Sequence, residues 1–321
     1  MKIIALLPIR NEAVMLPYSL DCLSKCCDVV MVYDQDSTDA SRDICRQYPR
    51  VVLIESAKAA ICEVGRWRLL DAARDFDGEN FLWCTDADEL ISPSLFRAFL
   101  DSERSRLGPG TVVEGMFYHL WGRADRYRDD GSPYAPYWKG FGLIDDRKSD
   151  FDRSPSLPLH QSRVPLREGQ PVVRSESLRV LHLQWLRFRD NQLKQVWYRC
   201  SELLDGRNPS AINERYSITL PPARVKTSPV PDEWTEGLTF PELHDDGKTW
   251  QEGEVLAWLD EHGPEHFEKL EIWHLPELEK LFRDRVGRRP RPDRSYRPPL
   301  SKRAGRLARR VVSGTRRRFR S

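Results

Sequence analysis

No stretch of this sequence approaches the roughly twenty consecutive apolar residues that a helix needs to cross a bilayer. The apolar opening, Met1 to Ile9, lacks a small-residue cleavage site and runs straight into Arg10-Asn11-Glu12, so it reads as a first strand rather than a signal peptide. These absences lead to the expectation of a cytoplasmic chain, with at most a peripheral hold on the inner face of the membrane. Cysteine is sparse: seven residues (22, 26, 27, 45, 62, 84, 200), odd in number, without a Cys-x-x-Cys and mostly in apolar surroundings. That excludes a disulfide framework and a zinc ribbon and leaves buried, reduced thiols. After the first strand there is neither a glycine-rich phosphate loop nor a lysine, which speaks against a nucleotidyltransferase. Internal repeats are absent too, which rules out a solenoid or propeller.

What is present begins with charge. The 321 residues are 40% hydrophobic and 31% charged, as in a soluble globular chain with one large α/β domain or two smaller ones. The net charge of +2 conceals a split: from Arg283 onward there are 16 Lys/Arg against 2 Asp, a net of +14, which leaves −12 on the body. Residues 287–299 are Pro/Arg-rich and read as disordered. From Leu300 the apolar positions Leu300, Ala304, Leu307, Ala308, Val311 and Val312 form one face of a basic helix. Such a helix over 300–320 suits an anionic membrane surface; the bland alternative is a solvated basic tail. The acidic body argues against nucleic acid as the partner.

Strand and helix patterns alternate through the first third of the chain. Strand-like runs at 2–9, 29–33, 51–54 and 81–85 are separated by helical spacing at 14–23, from Ala40, and at 66–73. This is the pattern of an α/β, mainly parallel sheet flanked by helices, in which ligands sit beyond the carboxyl ends of the strands. Polar clusters follow strands one, two and four at that edge: Pro8 to Glu12, Asp34 to Asp39, and Asp86-Ala87-Asp88-Glu89. The last is the sharpest signal. Read as a strand end, it turns Asp86 and Asp88 to one side and Ala87 to the other, and two carboxylates on one side repel unless a cation sits between them. A hard divalent ion carrying a phosphate, Mn²⁺ or Mg²⁺, fits. A solvated turn ahead of a helix capped at Ser92 and started by Pro93 fits as well.

In order and spacing, Pro8-x-Arg10-Asn11-Glu12, Asp34-x-x-Ser37-Thr38-Asp39 and Asp86-x-Asp88-Glu89 resemble the family 2 glycosyltransferases of GT-A fold. The likeness departs at Gln35 and Asp36, where the family often has Asp-Gly. It implies a GT-A-type fold and transfer of a sugar, with inversion, from a nucleoside-diphosphate donor (UDP-sugar favoured) to a cell-surface glycan or glycolipid acceptor. By this resemblance Pro8, Arg10, Asn11, Glu12, Asp34 and Asp36 hold the base and ribose, and Asp86 with Ala87 reaches the ribose or the metal. Asp88 ligates Mn²⁺ or Mg²⁺, and Arg66 adds a cation for the phosphates or else forms a surface ion pair. Two later stretches resemble a branch related to lipopolysaccharide-core and capsule enzymes: Leu159-His160-Gln161, and Val180 to Trp185 followed by Lys194 and Tyr198. The second makes His182 a metal or diphosphate contact, or a structural histidine. Gln161 stands where that branch shows a Glu able to act as base, so Asp145, Asp146 and Glu114 remain as candidate bases.

Beyond the motifs, 111–120 reads as a strand, and Trp121, Tyr127, Tyr134, Tyr137, Trp138 and Phe141 read as an acceptor surface of stacking rings or as packing for a lid. Residues 190–204 form an amphipathic helix, 221–250 is Pro-rich and anchored by Trp234 and Trp250, and short helices follow at 254–260, from Pro264 and from Pro276. The expected organisation is a GT-A catalytic domain over 1–205, an irregular and helical appendage packed on it over 206–282, and the basic tail over 283–321. The competing readings are a nucleotidyltransferase of related fold, a nucleic-acid-binding protein acting through its tail, and a catalytically silent glycan-binding relative.

Overall fold

The computed structural model describes residues 1–57, 62–153, 162–217, 225–241 and 249–293. Leu159-His160-Gln161 and the expected basic helix from Leu300 lie outside them. The chain divides into two units, Met1–Phe188 with Ala223–Asp245, and Arg189–Pro222 with Asp246–Ser321.

The first half of the first unit alternates as its hydrophobic pattern requires: β1 (Lys2–Ile9), α1 (Leu16–Cys26), β2 (Val29–Gln35), α2 (Ser41–Arg46), β3 (Val51–Ser56), α3 (Cys62–Ala73) and β4 (Asn80–Cys84). β1 runs parallel to β2 and β4, and β2 parallel to β3. β1 and β4 are near-continuous apolar runs because both their faces are covered; Ile4, Ala5, Leu7, Phe81 and Leu82 are all at 0% exposure. Then follow β5 (Glu89–Ile91), α4 (Pro93–Glu103), β6 (Val112–Trp121), β7 (Arg126–Arg128), β8 (Tyr137–Ile144), β9 (Val172–Trp185) and β10 (Thr227–Pro229). The sheet order is β10-β7-β6-β8-β4-β1-β2-β3, with β9 joined to β6 and β5 joined to β9. β8 is antiparallel to both β4 and β6, whereas β6 and β9 are parallel. The protein is therefore a mixed α/β sheet flanked by helices, as the alternation implies.

One consequence of β8 positions the site. Trp83 is registered against Gly142, so the residues that precede Gly142 on this antiparallel strand extend past the carboxyl end of β4. Tyr137, Trp138 and Phe141 thus belong to a strand and not to a lid. Gly142 is required here, since a Cβ at that position meets the Phe81 ring and Val113. Phe81, Trp83, Phe96 and Phe141 pack around it, with Trp83 5.0 Å from Phe96 and 5.4 Å from Phe141 between ring centroids.

The division of the chain differs from the expected boundary at 205. The helix α5 (Phe188–Leu204) sends Leu193, Val196 and Cys200 into the core of the second unit, beside residues of α6 (Pro209–Tyr216), α7 (Trp250–His262) and α8 (Pro276–Val286). In this unit Tyr198 stacks on Tyr216 at 6.1 Å and Trp250 lies 5.4 Å from Trp197. The segment around Trp234 instead returns to the first unit, where its ring lies 4.5 Å from Tyr118 and 5.8 Å from Tyr127. Among the described residues no helix is long and apolar enough to cross a membrane.

Candidate active site

Ile9 is registered against Asp34 and Leu6 against Cys84, so the chain leaves β1, β2 and β4 side by side at one edge. The first two loops are laced together. Asn11 N donates to Ser37 Oγ (2.8 Å), Thr38 N donates to Asn11 Oδ1 (2.7 Å), and Glu12 N donates to Ser41 Oγ (2.9 Å). Pro8, Arg10, Asn11 and Glu12 are thereby held beside Asp34 and Asp36. Asp36 adopts φ 63°, a left-handed conformation that Asp tolerates better than most residues. The turn for which the resemblance would supply glycine is therefore kept without one. The Asp34 side chain is fully buried: Oδ2 accepts from Arg42 Nε (2.5 Å) and Ser37 N (3.2 Å), while Oδ1 is buried with no hydrogen-bond partner among the described residues. A buried acceptor without a donor is costly.

The acidic motif departs from its sequence reading. β4 ends at Cys84, and Glu89 N donates to Asp86 O (3.1 Å), so residues 86–89 form a tight turn, not a strand end. Ala87 is buried in the core at 2% exposure, which withdraws its side chain from the donor contact that the resemblance gives it, and the two aspartates take different partners. Asp86 Oδ1 meets Arg66 Nη2 at 2.6 Å and Oδ2 meets Arg163 Nη2 at 2.5 Å. Burial raises the Asp86 carboxyl, yet the two guanidiniums, Arg163 first, outweigh it and hold Asp86 well below the usual carboxylate range. Arg66 is therefore an ion-pair partner of the motif, with 9% of its side chain exposed. Glu89, whose side chain is at 0% exposure, pairs with Arg163 and accepts from Thr85 Oγ1 and Asp86 N, both at 3.1 Å.

Asp88 turns the other way. Leu183 N donates to its carbonyl (2.8 Å), and the pairing of β5 with β9 sets Glu89 opposite His182. His182 Nε2 lies 3.2 Å from Asp88 Oδ2, and its Nδ1 lies 2.9 Å from Nδ1 of His119 on β6. Burial, and then the His182 ring, keep His119 well below the ordinary imidazole range and hence neutral. Asp88 and His182 are a carboxylate and an imidazole aimed at one another, the donor types that Mn²⁺ accepts. Among the described residues no group of three His, Cys, Asp or Glu side chains is arranged to hold a metal. The donor types would suit an ion that brings phosphate oxygens of its own, which Asp88 and His182 could hold while Asp86 is engaged with Arg66 and Arg163.

The candidate bases do not join this edge. Asp145 N donates to the carbonyl of Asn80, at the amino end of β4, about 20 Å along the strand from Asp86. Its side chain is 3% exposed and paired with Arg74 at 2.9 Å. Asp146 accepts from Arg167 Nε at 2.6 Å and from Ser149 N at 2.8 Å. Although burial opposes it, these donors hold Asp146 well below the carboxylate range. Glu114 pairs with Arg174 at 2.6 Å and, one residue out of step with Gly115, faces away from Lys139, which is registered with Gly115. Sequence reasoning missed Arg163, His119 and Lys139. Only Lys139 carried a signal: in Tyr137-Trp138-Lys139-Gly140-Phe141 a period of two puts Lys139 on the face of Tyr137 and Phe141. Burial, then the charge of Arg163, draws its ammonium down to about 8.

Gly65 fixes where Arg66 enters. A Cβ at Gly65 would sit 3.0 Å from Pro8 Cβ, 3.1 Å from the Tyr33 ring and 3.3 Å from Gln35 Nε2, so α3 lies directly on the ends of β1 and β2. Gly65→Ala is expected to lower stability by about 1–3 kcal/mol through overpacking, despite the better helix propensity of alanine. Gly253→Ala in α7, where nothing lies within 4 Å of the added carbon, is expected to gain up to about 1 kcal/mol. Parallel urea melts check the contrast.

No protein-family model and no curated protein matches the sequence. Among solved structures, Staphylococcus aureus TarS matches with 20% identity over 38% of this chain and 22% of its own, at a TM-score of 0.29. A mycobacterial protein matches with 18% identity over 37% and 41%, at 0.30. Glucosyl-3-phosphoglycerate synthase from Mycobacterium tuberculosis, in complex with Mn²⁺ and uridine-diphosphate-glucose, matches with 18% identity over 37% and 43%, at 0.26. This chain thus spans less than half the length of each, and what it binds is read from its own residues.

Proposed function

We propose that the protein transfers a sugar from a nucleoside-diphosphate donor to a glycan or glycolipid acceptor, with inversion at the anomeric carbon. The observation that carries this reading is the meeting of three loops at one sheet edge: Pro8 to Glu12, Asp34 to Asp36, and Asp86 to Asp88. The buried, donor-seeking Oδ1 of Asp34 suits the N–H or ribose O–H of a nucleoside. Arg66 and Arg163 hold the Asp86 turn rigid, which fixes Asp88 against His182, and preorganised charge of this kind is what a leaving phosphate requires. A divalent ion on Asp88 and His182 would supply charge neutralisation to the departing diphosphate without a proton being delivered. The acceptor side lies toward β8, where Tyr134 and Tyr137 edge the His119 ring at 5.0 and 6.2 Å.

Calorimetric titration of UDP, GDP, dTDP and CMP, each with and without Mn²⁺, tests the proposal. One diphosphate, UDP first, is expected to bind in a metal-dependent manner. Absence of binding by all four to the folded chain with metal present would overturn it.

A further inference from the structure

We propose that Lys139 is a phosphate ligand of this edge, holding the diphosphate of the donor from the β8 side. The identity of that diphosphate rests on the function proposed above; the phosphate site itself does not.

Arg66, Arg163 and Lys139 face Asp86 and Glu89. The next acid along, Asp88, is turned to His182. The three cationic side chains are 9% exposed for Arg66, 11% for Arg163 and 23% for Lys139.

Lys139 is the most loosely paired of the three. Both carboxylates are engaged by guanidiniums at short range, while Lys139 Nζ stands 4.0 Å from Glu89 Oε1, beyond hydrogen-bond distance. Among the described residues none accepts a hydrogen bond from it. It rests instead over the Phe117 ring, 4.1 Å from the centroid, a contact that holds an ammonium in place without using its N–H donors. Register puts it where a leaving diphosphate needs it. Lys139 pairs with Gly115, three residues before Gly142, the partner of Trp83. The ammonium therefore reaches the space beyond β4 that the Asp86 turn borders. A compact point charge with three donors is well suited to a phosphate oxygen. The lowered protonation of Lys139 accords with this, since burial and the charge of Arg163 disfavour its ammonium and an anion beside it would favour it.

Inorganic pyrophosphate, UDP and uridine are the probes, titrated against wild type, Lys139→Met and Lys139→Arg. Lys139→Met keeps the apolar stem on Phe117 and removes the charge. It is expected to weaken pyrophosphate and UDP by about 10- to 100-fold, the worth of one hydrogen-bonded charge, and to leave uridine unchanged. Lys139→Arg is expected to retain most of the affinity. Equal pyrophosphate affinity in wild type and Lys139→Met overturns the proposal, as does a loss in Lys139→Arg as large as in Lys139→Met, because shape and not charge then matters. Should Lys139→Met not fold, pyrophosphate is expected to shield Lys139 from reductive methylation in the wild-type chain, and failure to shield it is equally decisive. Pyrophosphate held through Lys139 with every nucleotide refused keeps this site and sinks the transferase reading. Metal-dependent UDP binding indifferent to Lys139 does the reverse.

Discussion

Asp88→Asn is expected to abolish metal-dependent nucleotide binding and sugar transfer, a loss of about 100-fold or more, while the chain stays folded. The substitution keeps shape. Leu183 N still donates to the residue 88 carbonyl, which sits 2.8 Å away, so the β5–β9 pairing that delivers His182 is untouched. What disappears is the carboxylate that faces His182 Nε2 at 3.2 Å. An amide is a poor ligand for a hard divalent ion, and the Asn NH₂ adds a donor where His182 Nε2 needs an acceptor or a metal. Calorimetry with UDP and Mn²⁺ reads the first loss, and UDP released from a UDP-sugar reads the second. Asp88→Asn binding Mn²⁺-UDP as tightly as wild type would remove the metal from Asp88 and His182. Asp86→Asn makes the useful contrast, since Asp86 lies in an ion-pair network and its loss is expected to appear first as lower stability.

The sequence carried the parallel half of the sheet well. There the elements are local, each strand is a buried run, and each following loop is polar, so periodicity alone orders them. Pro8 to Glu12, Asp34 and the Asp86 turn share one edge because of that order. The antiparallel half was far less legible. Val172-Val173-Arg174-Ser175-Glu176 mixes polar and apolar residues without strict alternation, because β9 is buried only in part, and the strand showed itself only over its last residues. β8 carries Gly140 and Gly142, which read as loop but are present because Val164 and Phe81 occupy the space of their side chains. What the site gains from that half was hidden for the same reason. His119 and Lys139 reach the edge through long-range pairing, and Arg163 lies in an irregular segment with no periodicity at all. The alternation argument at Asp86 and Asp88 failed because Glu89 closes a turn there: its backbone N–H goes to Asp86 O and its carboxylate takes the Asp86 N–H, a local competition that residue spacing does not show. Asp145 and Asp146 were plausible bases by charge alone and were displaced by topology.

Arg163→Met is expected to have the largest effect on stability, about 3–5 kcal/mol at neutral pH, or a fall in Tm on the order of 10 °C. The guanidinium bridges Asp86 and Glu89, and Met removes the bridge while keeping contact with the Phe117 ring, 5.7 Å from the Arg163 guanidinium carbon. Glu89, fully buried, keeps the hydrogen bonds from Thr85 Oγ1 and Asp86 N but has Lys139, 4.0 Å away, as its remaining cation; Asp86 retains Arg66. The pH dependence identifies the mechanism. Asp86 is held below its unfolded value near 3.9, so it contributes stability above that pH and loses it as pH falls through the folded value. Removing Arg163 lets the folded value climb back, so the gap between wild type and variant is expected to be widest at neutral pH and to narrow below about pH 4. Urea melts at pH 7 and at pH 3.5 measure both ends. A deficit within about 1 kcal/mol at pH 7, or one that is the same at both values, would mean that Arg163 acts through packing and not through charge. Adding Glu89→Leu to Arg163→Met supplies the last discrimination. With the stranded acid replaced by an apolar side chain the double variant should recover part of the loss, whereas a purely additive deficit would deny that the two residues act as a pair.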